Sequence, residues 1–176
     1  YLGKIASIFR LALYLKRNRP HSIMSALDTA NIQLVMASFI SRFKGITIVS
    51  QRSAIKSVYN NYNFFRRFLF LSLMRITYPY SDLVICNSSK SSDEVVTLLK
   101  CLPDRVHTIL NSVDIDLITS LSNKHLDHYC IRNKPTPLIL SVGSVTNIKD
   151  RSTLIKAFSL LNDYCPSNLV IVGPLY

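Results

Sequence analysis

Short apolar segments alternate with helical segments along most of the chain, and this alternation restricts the fold more than any other feature of the sequence. Residues 46–50, for example, are rich in β-branched side chains, a pattern typical of a strand. The predicted strands are 22–27, 46–50, 82–86, 106–110, 138–142 and 169–172. Strands that alternate with helices of about ten or more residues build parallel sheets from βαβ units. We therefore predict an α/β fold with parallel sheets.

Capping residues and helix breakers predict the helix boundaries. Asp28 is predicted to cap a helix over 29–43, which Gly45 closes. Ser91 and Glu94 have the spacing of a capping box, in which each side chain satisfies a backbone amide at the start of a helix. Further helices are predicted over 1–18, 62–77 and 152–161, whereas the polar and basic residues 51–59 are predicted to form a loop.

A longer polar connection, with a weak helical pattern over 117–121, divides the predicted strands into two groups. We interpret it as a linker, so the predicted domains are 1–112 and 137–176, joined by 113–136. The chain begins at Tyr1 and has no helix after its last predicted strand. We therefore expect both domains to be incomplete.

The chain is strongly basic, with 21 Lys and Arg against 10 Asp and Glu and a net charge of +11. Such a charge favours anionic partners, which include nucleic acids, anionic lipid headgroups and phosphorylated substrates. The four cysteines are scattered, with neither a metal-ligand spacing nor a disulfide framework, which indicates a reduced, cytoplasmic compartment. No apolar run approaches the roughly 20 residues of a spanning helix.

Five segments, in this order, resemble those of glycosyltransferase family 4. Two of them follow predicted strands with a short polar turn, and the last combines a strand, a glycine and a lysine before a helix. They are 20–31 (PHSIMSALDTAN), 49–53 (VSQRS), 81–88 (SDLVICNS), 105–114 (RVHTILNSVD) and 139–150 (ILSVGSVTNIKD) with 154–158 (LIKAF). Each motif alone has little specificity, but their order over nearly the whole chain is specific.

This resemblance implies a GT-B fold, in which two Rossmann-like domains face each other across a cleft and the second holds the nucleotide sugar. It implies that the chain spans the later part of the first domain and the opening of the second. The implied reaction is transfer of a sugar, with retention of configuration, from a nucleotide-sugar donor to a glycan or lipid-linked acceptor in cell-envelope polysaccharide synthesis. The donor, UDP- or GDP-linked, is a substrate, and no cofactor is expected.

The candidate donor diphosphate-binding residues are Lys149, Gly143 and Ser144. Lys149 lies between a predicted strand and a predicted helix, where open α/β sheets bind ligands, and its ammonium can neutralise a leaving diphosphate. Gly143 allows a sharp turn and close approach of phosphate to the backbone. Ser144 departs from the family, which usually has Arg there, so that either diphosphate binding is weakened or Arg151 substitutes. A solvated lysine and a simple turn glycine are the alternatives.

Arg52, at the end of the strand over 46–50, is the candidate residue of the acceptor-side cleft, with an exposed loop arginine as the alternative. Asn87 and Ser88 are predicted to cap or orient their loop. No metal site is expected, because the only Asp-x-Asp spacing, Asp114 to Asp116, lies in the predicted linker. The His that several family members carry near Met24 and Ala26 is missing, and the catalytic residues stay unassigned.

The aromatic and Arg-containing helix over 62–77 has two interpretations. It can lie at an anionic membrane surface, or it can be a core helix whose basic edge faces water. We expect the protein in the cytoplasm, with peripheral membrane contact as an added possibility. A catalytically inactive remnant is the alternative function, and a basic nucleic-acid-binding domain is a weaker one because no such motif occurs.

Overall fold

The computed structural model describes residues 2–60, 62–125, 137–144 and 149–174, which form two compact units, Tyr1–Val113 and Asp114–Tyr176. The helices in these ranges are α1 (Leu2–Asn18), α2 (Asp28–Ser41), α3 (Ile55–Tyr59), α4 (Phe64–Thr77), α5 (Ser89–Leu99), α6 (Ile115–Ser122) and α7 (Arg151–Tyr164). The strands are β1 (Ser22–Ala26), β2 (Ile46–Gln51), β3 (Leu83–Cys86), β4 (Val106–Thr108), β5 (Leu138–Val142) and β6 (Asn168–Val172). Two 3₁₀ turns cover Tyr78–Tyr80 and Pro103–Arg105.

Both sheets are parallel, as predicted. The first unit has the strand order β1-β2-β3-β4, and the second pairs β5 with β6. The register places Ala26 beside Ser50 and Gln51 beside Cys86, so the carboxyl ends of β1, β2 and β3 lie at one edge of the first sheet. The α/β fold class and the six predicted strands are therefore confirmed in the described residues. Residues 126–136 of the predicted linker lie outside them.

The core of the first unit lies where α2, α4 and α5 cover the middle of the sheet. Val49 and Val84 are almost completely buried, and Met74 and Leu99 pack into the same cluster. A second cluster joins α1 to α2 through Ile8, Ala12, Leu15 and Ala37. The helical spacing of the α1 residues gives that helix one buried face.

Helix α2 begins and ends differently from the prediction. The residue before it is Leu27, which has φ 79° and supplies no side-chain cap, while the Asp28 carboxylate accepts a hydrogen bond from the Tyr59 hydroxyl at 2.7 Å. Arg42, in the left-handed conformation at φ 52°, ends the helix in place of Gly45. A Cβ at Gly45 would lie 2.5 Å from the His21 carbonyl oxygen, so the glycine provides room for a neighbouring chain segment.

The predicted capping box at Ser91 and Glu94 is wrong. Ser88 caps α5 by accepting from the Ser91 amide at 3.2 Å, as its predicted capping role implied. Glu94 is buried, and its carboxylate accepts from the Lys56 amide at 3.1 Å, so it satisfies the first turn of α3. This contact, formed with a distant residue, is why part of the predicted loop over 51–59 is helical.

Helix α4 exposes apolar side chains as well as arginines. Met74 and Thr77 are buried against the core, but Phe64, Phe65 and Phe68 are largely exposed. The interpretation of α4 as a core helix is therefore correct for the face that carries Met74 and Thr77. It is incomplete for the face that exposes the phenylalanines.

The close approach at Gly45 predicts that adding one methyl group there strongly lowers the stability of the fold. Gly45→Ala places its Cβ 2.8 Å from the Pro20 carbonyl oxygen and closer still to that of His21, so we expect the free energy of unfolding in urea to fall by about 1–3 kcal/mol. Gly3→Ala is the matched control, because no heavy atom lies within 4 Å of its added Cβ. Equal stabilities of the two variants would contradict this account of Gly45.

Candidate functional site

The carboxyl edge of the first sheet opens into a cavity of about 320 Å³. Arg52 follows β2 directly and lines this cavity, together with residues of α2, α3 and α4. Ligands of open α/β sheets bind at this kind of edge. The charged and hydroxyl-bearing side chains of the lining are Asp28, Thr29, Arg52, Ser53, Tyr59, Tyr62 and Arg66.

Arg52 is held by residues that follow the next two strands of the sheet. The Asn87 side-chain amide donates to the Arg52 carbonyl at 3.1 Å, which confirms that Asn87 orients the loop. The Arg52 Nη2 donates to the Asn111 Oδ1 at 3.5 Å, which is a long hydrogen bond. The guanidinium is otherwise exposed, so it can still bind a ligand.

The second guanidinium of the cavity belongs to Arg66, and sequence reasoning did not assign it to a site. Asn63 caps α4 by accepting from the Arg66 amide, and the Arg66 guanidinium lies 4.3 Å from the centre of the Tyr62 ring. This geometry is a cation–π contact. The two arginines give the cavity positive charge from two different elements.

The start of α2 adds backbone donors to the same cavity. The first amides of a helix have no partner within the helix, and Leu27, the residue before α2, supplies no side-chain cap for them. Asp28, Thr29 and Ala30 of this first turn line the cavity. A helix amino terminus attracts anions, and together with two arginines it favours a phosphate or carboxylate group.

Asp28 supplies the carboxylate of the cavity lining, and this carboxylate accepts a hydrogen bond from the Tyr59 hydroxyl. Burial, and then the hydrogen bond to Asp28, raise the pKa of the Tyr59 hydroxyl above its ordinary value. Tyr59 therefore stays protonated and keeps donating to Asp28 at neutral pH. The sequence spacing of Asp28 and Tyr59 carries no signal of their contact.

A buried polar network fixes the turn that carries Arg52. The Asn31 side-chain amide donates to the Ser50 carbonyl and to the Tyr78 hydroxyl, both at 2.9 Å. Tyr78 donates to the Gln51 side-chain carbonyl at 2.8 Å, and the Gln51 amide donates to the Ser53 carbonyl at 2.8 Å. Asn31, Gln51 and Tyr78 are each 0% exposed. The network thus joins α2, β2 and the 3₁₀ turn to the loop at the cavity.

In the second unit, Gly143 follows β5 and lies beside Lys149. Gly143 has φ 139°, a conformation that favours glycine, and its amide donates to the Val172 carbonyl at 2.8 Å. A Cβ at Gly143 would lie 3.6 Å from the Lys149 Cε. Ser144 comes next and is partly exposed. The structure therefore brings together the three predicted donor-site residues, although 145–148 lie outside the described residues.

Arg151 lies at the same strand end, at the start of α7. It is buried, and its guanidinium donates to the Gly143 carbonyl at 2.8 Å and to the Ser141 hydroxyl. Its Nε is the one buried side-chain nitrogen or oxygen of the described residues that lacks a hydrogen-bond partner. Because both Nη atoms already bind protein groups, Arg151 stabilises the Gly143 turn.

Gly173 is a further residue of this strand end that sequence reasoning missed. It has φ 155°, and an added Cβ would lie 3.1 Å from the Ser144 amide nitrogen. Glycines at the carboxyl ends of both β5 and β6 allow close backbone approach there. A glycine directly after the last predicted strand was the available signal.

Residues 1–117 match the family model for glycosyltransferase family 4, which is about two thirds of the chain. The chain belongs to this family. It is 28% identical over 114 residues to an N-acetylgalactosamine-N,N'-diacetylbacillosaminyl-diphospho-undecaprenol 4-alpha-N-acetylgalactosaminyltransferase of Campylobacter jejuni, covering 65% of this chain and 28% of that protein. It is 21% identical over 173 residues to an uncharacterized glycosyltransferase of Methanocaldococcus jannaschii, covering 94% of this chain and 42% of that one.

Solved structures support the GT-B fold. Alr3699/HepE of Anabaena, in complex with UDP-glucose, matches with a TM-score of 0.64 at 15% identity, covering 94% of this chain and 42% of that one. The lipopolysaccharide outer core galactosyltransferase WaaB matches with a TM-score of 0.54 at 11% identity, covering 98% and 49%. The chain spans less than half the length of these relatives. The GT-B fold class is as predicted.

The buried network predicts a stability cost for removing one hydroxyl group. Tyr78→Phe leaves one N–H of the Asn31 side-chain amide and the Gln51 side-chain carbonyl without their buried partner, so we expect the free energy of unfolding to fall by about 1–3 kcal/mol. Tyr80→Phe is the control, because Tyr80 is 71% exposed. A Tyr78→Phe variant as stable as this control would show that the network does not stabilise the unit.

Proposed function

We propose that this chain is part of a retaining glycosyltransferase, which transfers a sugar from a UDP- or GDP-linked donor to a glycan or lipid-linked acceptor in cell-envelope polysaccharide synthesis. The observation that carries the proposal is the position of Lys149 beside the Gly143 turn at the carboxyl end of β5, in a chain of glycosyltransferase family 4. Two of the similar proteins are a UDP-glucose complex and a transferase whose acceptor is a diphospho-undecaprenol, which supports both substrate classes.

In this proposal Lys149 neutralises the diphosphate leaving group. Its ammonium is exposed, and Gly143 lets a phosphate approach the backbone closely. Charge that develops on the leaving diphosphate is stabilised best by groups that are already in place before the reaction. Arg151 contributes by holding the turn, and the Ser144 hydroxyl and amide supply hydrogen-bond donors where a second cation is missing.

We propose that cationic side chains, without a metal ion, stabilise the negative charge of the leaving diphosphate. Asp114 and Asp116 have the spacing of a metal-binding pair, but Asp114 accepts from the Leu117 amide at 2.8 Å and caps α6. This capping role accounts for Asp114. No catalytic base is assigned to any residue.

The acceptor side is proposed to be the cavity that contains Arg52 and Arg66. Two guanidiniums and the first turn of α2 suit a phosphate of a lipid-linked acceptor or a carboxylate of an acidic glycan. Asp28, which bonds Tyr59, gives the cavity a fixed acceptor for a sugar hydroxyl. The large positive net charge raises the local concentration of such anionic acceptors.

We further propose that the protein acts at the cytoplasmic face of a membrane, with α4 as its peripheral contact. Phe64, Phe65, Phe68 and Leu69 are exposed on this helix, beside the cationic Arg67 and Arg75. Apolar side chains with flanking arginines match the acyl and headgroup layers of an anionic bilayer. No helix of the described residues combines the length and apolar character that crossing a bilayer requires.

Lys149→Ala tests the donor site. We expect calorimetric titration with UDP and GDP, on this chain extended through a complete second unit, to show at least about tenfold weaker binding than the unchanged sequence, since a charge-assisted contact to phosphate is lost. Lys156→Ala, which removes an exposed lysine of α7, is the matched control. Equal affinities for both variants would contradict the assignment, and no binding by any form would favour the inactive remnant.

Helix α4 is tested by vesicle sedimentation. Phe64→Ser with Phe68→Ser removes a stacked and exposed pair of rings, so we expect binding to vesicles that contain phosphatidylglycerol to fall several-fold. The control pair is Ile155→Ser with Leu160→Ser, two exposed apolar residues of α7. If the control pair has the same effect, or neither pair has any, α4 is not the membrane contact.

A further inference from the structure

A basic cavity lies at the edge of the first sheet where β1 and β2 begin. Its volume is about 530 Å³, and Gly45, His21 and Ile46 form part of its lining. The basic side chains around it come from the end of α1, the residue before β1 and the segment between α2 and β2; they are Lys16, Arg19, His21, Arg42 and Lys44. None of the acidic side chains in the described part of the chain lines this cavity.

No described carboxylate pairs with the basic side chains of the cavity. All five basic side chains are exposed, and none of them forms an ion pair or a side-chain hydrogen bond within the described part of the chain. Cations gathered at a concave surface create a positive potential that attracts multivalent anions. Ion pairs with carboxylates would give these cations a structural role, and no described carboxylate lines the cavity.

Two of the five residues have unusual backbone conformations. Arg19 has φ 43° and Arg42 has φ 52°, in the left-handed region that glycine or asparagine enters most easily. Their amides are held by the carbonyls of Leu15 at 3.0 Å and Phe39 at 3.1 Å. Arginine therefore occupies both of the left-handed positions that line this cavity, although its conformational cost there is higher than that of glycine or asparagine.

The cavity continues into an apolar depression. A neighbouring cavity of about 580 Å³ shares Arg42 and Lys44 with it and reaches Phe39 and Tyr80. The last two also line a cavity of about 260 Å³ with Ile40 and Ile76, where the lining is almost entirely apolar. One carboxylate, Asp82, lies in the middle part, where it accepts from the Thr47 amide at 2.7 Å.

This surface lies at the opposite end of the strands from the acceptor-side cavity. The six residues of β2 separate the two edges by roughly 20 Å. Arg52 and Arg66 line one cavity, and Arg19 and Arg42 line the other. A ligand of the basic cavity is therefore bound at a second site.

We propose that the basic cavity binds a phosphate group with at least two negative charges, carried by a lipid headgroup or by a soluble polyphosphate. Phosphate oxygens accept several charge-assisted hydrogen bonds, and the arginine fork matches their geometry. The apolar depression next to the cations suits the hydrocarbon of a lipid. Both candidate ligands carry a phosphate group, and the following experiments distinguish the lipid from the soluble polyphosphate.

The soluble ligand is tested by calorimetric titration with inorganic tripolyphosphate. The whole chain carries Lys149→Ala throughout, so that the proposed donor site does not contribute. Arg19→Asn with Arg42→Asn removes two charges and suits the left-handed conformation. Arg10→Gln with Arg17→Gln removes the same charge from exposed positions of α1 outside the cavity.

The lipid is tested with phosphatidylcholine vesicles, with and without phosphatidic acid, on the same proteins. Helix α4 is unchanged in all of them, so its contribution cancels in the comparison. A second pair, Lys16→Gln with Lys44→Gln, removes charge without changing a left-handed residue. Circular dichroism and thermal unfolding establish that each variant is folded.

We expect both cavity pairs to weaken binding at least about tenfold relative to the Arg10 and Arg17 control. An effect on tripolyphosphate alone identifies a soluble ligand, and an effect on phosphatidic acid vesicles alone identifies a lipid. Effects on both show that the phosphate group itself is recognised. If the folded cavity variants bind both ligands like the control, the proposal is overturned, whatever the result for Lys149.

Discussion

The hydrogen bonds of Asn31 and Tyr78 hold together the part of the first unit from which its candidate site is built. They join the start of α2 to the end of β2 and, through Gln51, to the Ser53 turn. Buried polar groups are costly when unpaired, so each member of this network restricts the others to one arrangement. The backbone that carries Arg52 is therefore fixed before any ligand binds, and an arginine on a fixed turn can recognise an anion with less loss of entropy.

In the second unit, other contacts hold the strand ends in place. Gly143 and Gly173 allow the carboxyl ends of β5 and β6 to approach closely, and Arg151 donates to the Gly143 carbonyl from the start of α7. This keeps the backbone open beside Lys149. In each unit, cationic side chains thus lie beside strand ends that the surrounding contacts hold in place.

Much of the fold could be predicted from the sequence because its signals are local. The strand over 46–50 contains β-branched residues in a short run, and such runs gave all six strands. Contacts between distant residues could not be predicted in this way. Glu94 satisfies an amide 38 positions away, and Asp28 accepts from a tyrosine 31 positions away. Helix α3 begins at the Glu94 contact, and the Asp28 contact lies in the cavity that Arg52 lines, whereas the sequence pattern alone indicated a loop and a helix cap.

The candidate donor-site residues Lys149 and Gly143 rest on a family resemblance and on one strand-loop-helix pattern, which does not extend to Gly173. A crystal structure of the chain, extended through a complete second unit, with UDP or GDP bound would locate the diphosphate directly. We expect the diphosphate within hydrogen-bond distance of the Lys149 ammonium and of the backbone around Gly143 and Ser144. A diphosphate bound elsewhere, with Lys149 free in solvent, would contradict this expectation.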